Sequence, residues 1–397
     1  MDKSTLRVET HRSGPFVFQV GLDMAFLEPL RARVEEAYAF IAPTVGPSSL
    51  GVYSGQFRNL PEGIFDFAKL VHVTSVYGSN TIEGGLLSEK ETEEVLSLPF
   101  DQIKEEEQQR VVNLKKAYEF ASAHANAKLD EKNIKIIHAI VTDKLSHSQN
   151  KPGEYRNNTK ENLTYVGDAQ HGGVYKPPKC LDDIKILMKD FVKWINSEDL
   201  LKLSPLYRAP LAHFYFELIH PFWDGNGRTG RVIEAMLLQA NYDYAPHAIS
   251  GFYLKNVDQY FTVFNECRKK AESKRSFPNT DFVAYFLERL LDTFYYLYDK
   301  RNEFYSVMAF SAHLVRLSGE GKINKRQEAI VFYLRKSKVT DKKLLESEPW
   351  YQALYSDYHP KTKERDLKQL QTLNLISVEN NQIQIIDLFP KRRLSKG

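Results

Sequence analysis

The stretch His220-Pro221-Phe222-Trp223-Asp224-Gly225-Asn226-Gly227-Arg228-Thr229-Gly230-Arg231 constrains the fold more than any other part of the chain. It separates two runs of helical spacing: Leu206 to Ile219, and the series Val232, Ile233, Met236, Leu237 and Leu238 after Arg228. Pro221 stops the first helix, and the glycines on either side of Asn226 open backbone conformations that other residues avoid. Because the second run is apolar nearly all round, both helices belong in a core and the loop between them is tight. Consecutive N–H groups in such a loop can turn inward as an anion nest, and the following helix aims its positive end at the same point. Arg228 and Arg231 share that helix's first turn and supply two planar cations suited to phosphate oxygens. Asp224 offers a hard oxygen ligand for Mg²⁺, and His220 offers an imidazole as base for a hydroxyl nucleophile. Jointly these roles point to nucleotidyl transfer from a polyphosphate.

Two motif look-alikes fall away. Gly225-x-Gly227-x-x-Gly230 matches the dinucleotide fingerprint, and with Val232 the glycine loop of kinases, but both need a preceding strand where this chain has a helical run. Gly319-Glu320-Gly321-Lys322 ends like a phosphate loop, yet Ile323 replaces the required Ser or Thr and Arg316 replaces the first glycine.

Elsewhere helical spacing covers Leu27 to Ile41, Ala68 to Glu83, Gln102 to Ala123, a segment capped by Asp130 with Ile134, Ile137, Ile140 and Val141 on one face, Leu181 to Ile195, Asn256 to Ala271 and Asp281 to Ser306. Between Pro152 and Pro178 the pattern turns to Gly, Asn and Thr with short alternating stretches, which predicts a projecting hairpin. The charged segment Leu317 to Lys325 reads as a boundary. After it, helical candidates at Arg326 to Arg335, Asp341 to Glu346 and Lys361 to Leu373 precede an apparent hairpin, Leu375 to Val378 with Ile383 to Ile386, the outline of a winged helix. The expected fold is therefore mainly α: an N-terminal region at 1–100, a helical core at 101–316 with a β-hairpin flap at 152–178, and a winged-helix-like domain at 317–397.

Lysines and arginines number 54 against 51 acids, a net charge of +3 that makes bulk attraction to nucleic acid or an anionic membrane a minor effect. Only Cys180 and Cys267 occur, so neither a disulfide framework nor a Cys-based zinc site is available. Met1 to Thr5 lack a signal-peptide apolar stretch and no segment has membrane-spanning apolar length, so the expectation is a cytoplasmic protein without membrane partners. His213, on an apolar helix with no Cys or second His at ligand spacing, reads as a packed residue.

From His220 to Arg231 the sequence resembles the Fic-domain family, whose signature His-Pro-Phe-x-(Asp/Glu)-Gly-Asn-Gly-Arg-x-x-Arg is matched without departure. The resemblance implies a helical core that transfers AMP from ATP, with Mg²⁺, to a hydroxyl of a target protein and of itself. His220 would then deprotonate that hydroxyl, and Asp224 would hold the metal. Gly225, Asn226 and Gly227 would form the nest, with Thr229 and Gly230 beside it, and Arg228 and Arg231 would take the outer phosphates. Pro152-Gly153-Glu154-Tyr155-Arg156 through Tyr175-Lys176-Pro177-Pro178 resembles the family's flap, on which a target docks as an added strand. Ser79-Asn80-Thr81-Ile82-Glu83-Gly84, within a helix at about 68–84, resembles the family's inhibitory motif. Ser79 and Glu83 share a helix face, and Glu83 would reach a loop arginine. Lys255 and Tyr260 are, by position, candidates for the adenine pocket. The resemblance also allows a homodimer.

Two other readings remain at this point. Glu83 held near the metal would position water and let the same site remove AMP from a modified protein. A DNA-binding regulator would instead use Lys361, Lys363, Arg365 and Lys368 in the C-terminal domain, although Glu364 and Asp366 dilute that patch and a solvated helix face is favoured over DNA.

Overall fold

The computed structural model describes residues 5–45, 67–159, 162–243, 245–337 and 339–386. Residues 1–4 and 46–66 of the N-terminal region, 160–161 of the flap, 244, 338 and 387–397 lie outside it. The chain divides into two compact units, Met1–Tyr298 and Asp299–Gly397.

In the first unit a short antiparallel hairpin, β1 (Leu6–Val8) and β2 (Phe16–Phe18), pairs Leu6 with Phe18 and Val8 with Phe16. Then follow α1 (Met24–Val45), α2 (Phe67–Ile82), α3 (Glu89–Ser97), α4 (Glu106–Ala123), α5 (Glu131–Val141), α6 (Leu181–Ile195), α7 (Glu198–Leu201), α8 (Pro205–Ile219), α9 (Asn226–Tyr242), α10 (Ile249–Lys255), α11 (Val257–Glu272) and the start of α12 (Thr280–Gly319), which runs across the boundary. Local chemistry sets several starts. Ser88 and Glu91 form a capping box on α3, and Asp130 accepts the Asn133 N–H at 2.6 Å at the start of α5. α4 begins at Glu106, with Glu106 and Glu107 in its first turn, after a 3₁₀ turn at Phe100–Gln102, rather than at Gln102.

α8 and α9 form the centre and are buried on almost every face, their apolar residues being spread around the helix rather than along one stripe. Gly230 permits their close approach, since a Cβ there would lie 2.7 Å from Glu217 Oε1 and 2.9 Å from His213. α2 packs on α10 through a second close approach. A Cβ on Gly78 would lie 2.3 Å from the Gly251 nitrogen, and one on Gly251 would lie 2.5 Å from Thr74 Cγ2.

The flap is less regular than the alternation suggests. Among the described residues one antiparallel bridge, Val166 with Tyr175, holds it. Gly167, Gly172 and Gly173 have φ between 91° and 102°, and the Thr164 hydroxyl is taken by Asn158 Nδ2 at 2.9 Å. These local demands compete with ladder formation. α12 continues to Gly319, well past the expected end at Ser306.

The second unit has its own core, including Ile330, Leu334, Leu345, Tyr351, Leu370, Ile376 and Ile383. α13 (Lys325–Ser337), β3 (Val339–Asp341), α14 (Lys342–Ser347), α15 (Pro349–Leu354), α16 (Lys361–Thr372), β4 (Ile376–Glu379) and β5 (Gln382–Ile385) surround a sheet of order β3-β5-β4, antiparallel throughout. Buried Asp366 accepts from Arg326 Nε at 3.0 Å and the Tyr355 hydroxyl at 2.9 Å. β3 and α15 have no counterpart in the sequence reading, because three and six residues are too few to display a period.

The α2–α10 contact is backbone against backbone and cannot yield as a flexible side chain would. Gly78→Val is expected to lower unfolding free energy by roughly 1–3 kcal/mol or more, read from the urea midpoint. An unchanged midpoint would show that the two helices can separate without cost.

Candidate active site

α8 ends at Ile219, and His220 caps it in the left-handed region (φ 47°, ψ 61°), its N–H donating to Phe216 O at 2.9 Å. Phe222 is fully buried and stacks on His138 with ring centroids 3.6 Å apart. The Asn226 side chain closes the loop on itself: Oδ1 accepts the Phe222 N–H at 3.0 Å and Nδ2 donates to Phe222 O at 2.9 Å. Asn226 thus braces the loop with its side chain, so any contribution it makes to a nest comes from its backbone.

His138 ties the same loop to α5 and the flap. Its Nδ1 accepts the Gly153 N–H at 2.9 Å, which leaves Nε2–H to donate to Asp224 O at 3.0 Å. Arg156, fully buried, donates from Nε to His220 O at 2.7 Å, while its backbone N–H donates to Pro221 O at 2.9 Å. The sequence reading did not single out His138; its only signal was a polar residue on an otherwise apolar face. Burial holds the His138 imidazole down at about 4, against a weaker opposing effect of the Asp224 carbonyl.

The two loop arginines differ. Arg228 donates from Nη2 to Asp224 Oδ2 at 2.9 Å, while its Nε and Nη1 are buried without a hydrogen-bond partner. Arg231 is satisfied, donating from Nε to Ser79 Oγ at 3.0 Å and from Nη2 to Ser79 O at 3.0 Å and Glu83 Oε1 at 2.8 Å. Glu83 also lies over Gly227, where a Cβ would sit 2.0 Å from its Oε1. Burial pushes the Glu83 carboxyl up, but the charges of Arg231 and Arg228 outweigh this and hold it below the ordinary value. Asp224 follows the same pattern: burial raises it, Arg228 overrides, and the net direction is down.

Among the described residues no cluster of three or more His, Cys, Asp or Glu forms a metal cage. His213 is packed as expected, with Nδ1 2.8 Å from Glu234 Oε2 and Nε2 3.0 Å from the Tyr260 hydroxyl. Buried Tyr260 lines a cavity of about 220 Å³ together with Val166 and Tyr175 of the flap, Glu217 of α8, and Phe261 and Phe264 of α11. Lys255 does not line that cavity; its Nζ lies 4.3 Å from the Phe252 ring centroid and 5.1 Å from that of Tyr296.

The class these features define is a helical domain with a tight, arginine-bearing loop between its two central helices. Residues 128–238 match the Fic/DOC family. A protein adenylyltransferase Fic of Aedes aegypti is 30% identical over 230 residues, 57% of this chain and 42% of the relative. One from Drosophila virilis is 32% identical over 179 residues, 44% of this chain and 34% of the relative. The chain thus spans less than half the length of these relatives. A Fic domain containing signaling protein of Bacteroides thetaiotaomicron shares the fold with a TM-score of 0.50 at 20% identity, over 69% of this chain and 95% of that one. No helix among the described residues is long and apolar enough to cross a membrane.

The depressed His138 value carries a stability consequence. Unfolded, this histidine binds its proton near pH 6.5; folded, only near 4. Its contribution is therefore complete above pH 6.5 and lost as pH falls toward 4, on the order of 3 kcal/mol if His138 acts alone. Replacing it by Asn should flatten the pH dependence of unfolding free energy across that window by about one proton. An identical slope in both proteins would show that His138 does not carry it.

Proposed function

We propose that this protein is an adenylyltransferase that moves AMP from Mg-ATP to a hydroxyl of a target protein, and of itself, and is restrained by its own Glu83. The observation that supports this reading most is that an anion already rests on the anion site. The Glu83 carboxylate lies over Gly227 and on Arg231, beside Arg228 with two buried N–H donors unpartnered. A site that draws in a carboxylate from another helix, and still has donors to spare, suits a ligand with more than one phosphate.

In this reading the triphosphate lies along the nest from Gly225 to Gly227, with Thr229 and Gly230 beside it, and Arg228 and Arg231 take the outer phosphates. The cavity beyond, with Tyr260, Phe261 and Phe264, suits an apolar base. Lys255 stays outside it, over Phe252. Asp224 fits Mg²⁺: its carboxylate is ionised by Arg228 and still 29% exposed, and the nucleotide's oxygens would complete the ligand set. When bound, the ion would neutralise phosphate charge and ease departure of pyrophosphate. His220 takes the proton of the incoming hydroxyl. The target docks on the flap, whose Tyr165 and Val174 are exposed.

Glu83 restrains the site by competition: while it holds Arg231, the outer phosphate lacks its cation, and the nucleotide enters only with its α-phosphorus turned from the hydroxyl. Ser79 keeps Arg231 in place from the same helix. The C-terminal unit is read as a winged-helix-like module, with DNA binding not favoured: Lys363 lies over the Tyr351 and Tyr355 rings, and Lys361, Arg365 and Lys368 share the exposed face with Glu364. A cytoplasmic protein, with a homodimer as its assembly, completes the proposal.

His220→Ala should lower transfer by roughly 10²–10⁴-fold while ATP affinity, measured by calorimetry, changes little, since no phosphate ligand is removed. Retained transfer would remove His220 from the role of base. Glu83→Gly should raise transfer and self-modification, followed with α-labelled ATP, by about ten-fold or more, equivalent to an ion pair worth roughly 1.4 kcal/mol. Adding Arg231→Ala should cancel the gain. If Glu83→Gly leaves His220-dependent transfer unchanged, the carboxylate only ends a helix.

A further inference from the structure

We propose that Glu217 is the positioning residue of His220, holding its imidazole as the Nδ1–H tautomer so that the Nε2 lone pair faces the hydroxyl to be modified. The inference deepens the adenylyltransferase reading and rests on it. Glu217 stands three residues before His220 in the last turn of α8, and its Oε2 lies 3.5 Å from His220 Nδ1. The two groups have complementary vacancies: His220 Nδ1 and Glu217 Oε1 are both buried without a hydrogen-bond partner. A carboxylate facing a ring nitrogen favours the tautomer that presents N–H to it, because the other would set a lone pair against a negative charge. The contact is longer than a hydrogen bond, as such contacts often are before substrate draws the groups together.

Glu217 is placed for this task by its neighbours. Its carboxylate occupies the space that the missing side chain of Gly230 leaves on α9, with a Cβ there 2.7 Å from Oε1. Its backbone carbonyl accepts the Tyr175 hydroxyl at 2.7 Å, so the flap is anchored at the same residue. Both side chains are mostly buried, 19% exposed for His220 and 12% for Glu217, which limits competition from water.

In the reaction the hydroxyl proton passes to Nε2, the oxygen forms a bond to the α-phosphorus, and the bond from that phosphorus to the bridging oxygen breaks as pyrophosphate leaves. His220 then carries a positive charge, and its Nδ1–H bond to Glu217 becomes charge-assisted. The interaction is thus stronger in the transition state than before it, which places its effect on kcat.

The tautomer can be read without any transfer, from long-range ¹H–¹⁵N correlations of the full chain labelled in histidine, with His220→Ala assigning the signal. The unmodified protein should show the Nδ1–H form. Glu217→Leu should lose that preference, and Glu217→Gln, which keeps an acceptor oxygen and the shape, should recover it. In the Glu83→Gly background Glu217→Leu should reduce kcat by about ten-fold or more, less than the loss of the base itself, with KM for ATP within about two-fold and partial recovery in Glu217→Gln. An Nε2–H tautomer in the unmodified protein, a tautomer indifferent to Glu217→Leu, or a loss confined to KM would overturn the proposal. A tautomer that follows Glu217 in a protein that transfers no AMP would support the positioning role and sink the adenylyltransferase reading instead.

Discussion

Hiding a guanidinium from water is expensive, and the start of α9 hides two. Arg228 and Arg231 are 1% and 2% exposed, on the first turns of a helix buried over most of its length. A buried charge must be met by another charge or by hydrogen bonds. The surrounding structure supplies these unequally. Arg231 is met by a carboxylate, a hydroxyl and a carbonyl from α2, so that helix is bound to α9 by electrostatic necessity as well as by packing. Arg228 has one partner and two open donors, an imbalance that an incoming anion relieves.

The loop that presents these charges is stiff for reasons that lie outside it. His138 from α5, Arg156 from the flap and the side chain of Asn226 each bind its backbone, and Phe222 is sandwiched beneath. Flap and loop therefore share hydrogen bonds, and the surface proposed to receive a target is coupled mechanically to the histidine proposed to deprotonate it. A loop braced in this way is what the proposed transfer between two large molecules requires.

The central helices, the loop between them and the pair from α2 were legible because each announces itself in few residues: a proline, paired glycines, arginines three apart, and a Ser and Glu four apart. The apolar faces of α5 and α6 were legible for the usual reason of period. What escaped were residues whose role depends on a neighbour distant in sequence. His138 looks like a stray polar group until Gly153 and Asp224 are brought to its two nitrogens, and Glu217 looks like an ordinary helix residue until α9 leaves it a space at Gly230. Lys255, chosen by position alone, lies over aromatic rings instead, since position does not specify which way an exposed side chain turns.

The backbone contact between Gly78 and Gly251 separates two properties of α2 that would otherwise be bound together. The helix is clamped at Gly78, whereas its carboxylate acts from Glu83, five residues or roughly 7.5 Å further along. Beyond the clamp the helix runs about one more turn, to Ile82, and Gly84 follows with φ 79°. Under the proposed reading, freeing the nucleotide site calls only for a change at this end of α2, with the rest of the helix left in the core. The proposed restraint is then a latch with a fixed pivot: Ser79 and Glu83, with Arg231 opposite, set its strength, and sequence change there can retune the threshold without disturbing the fold that carries it.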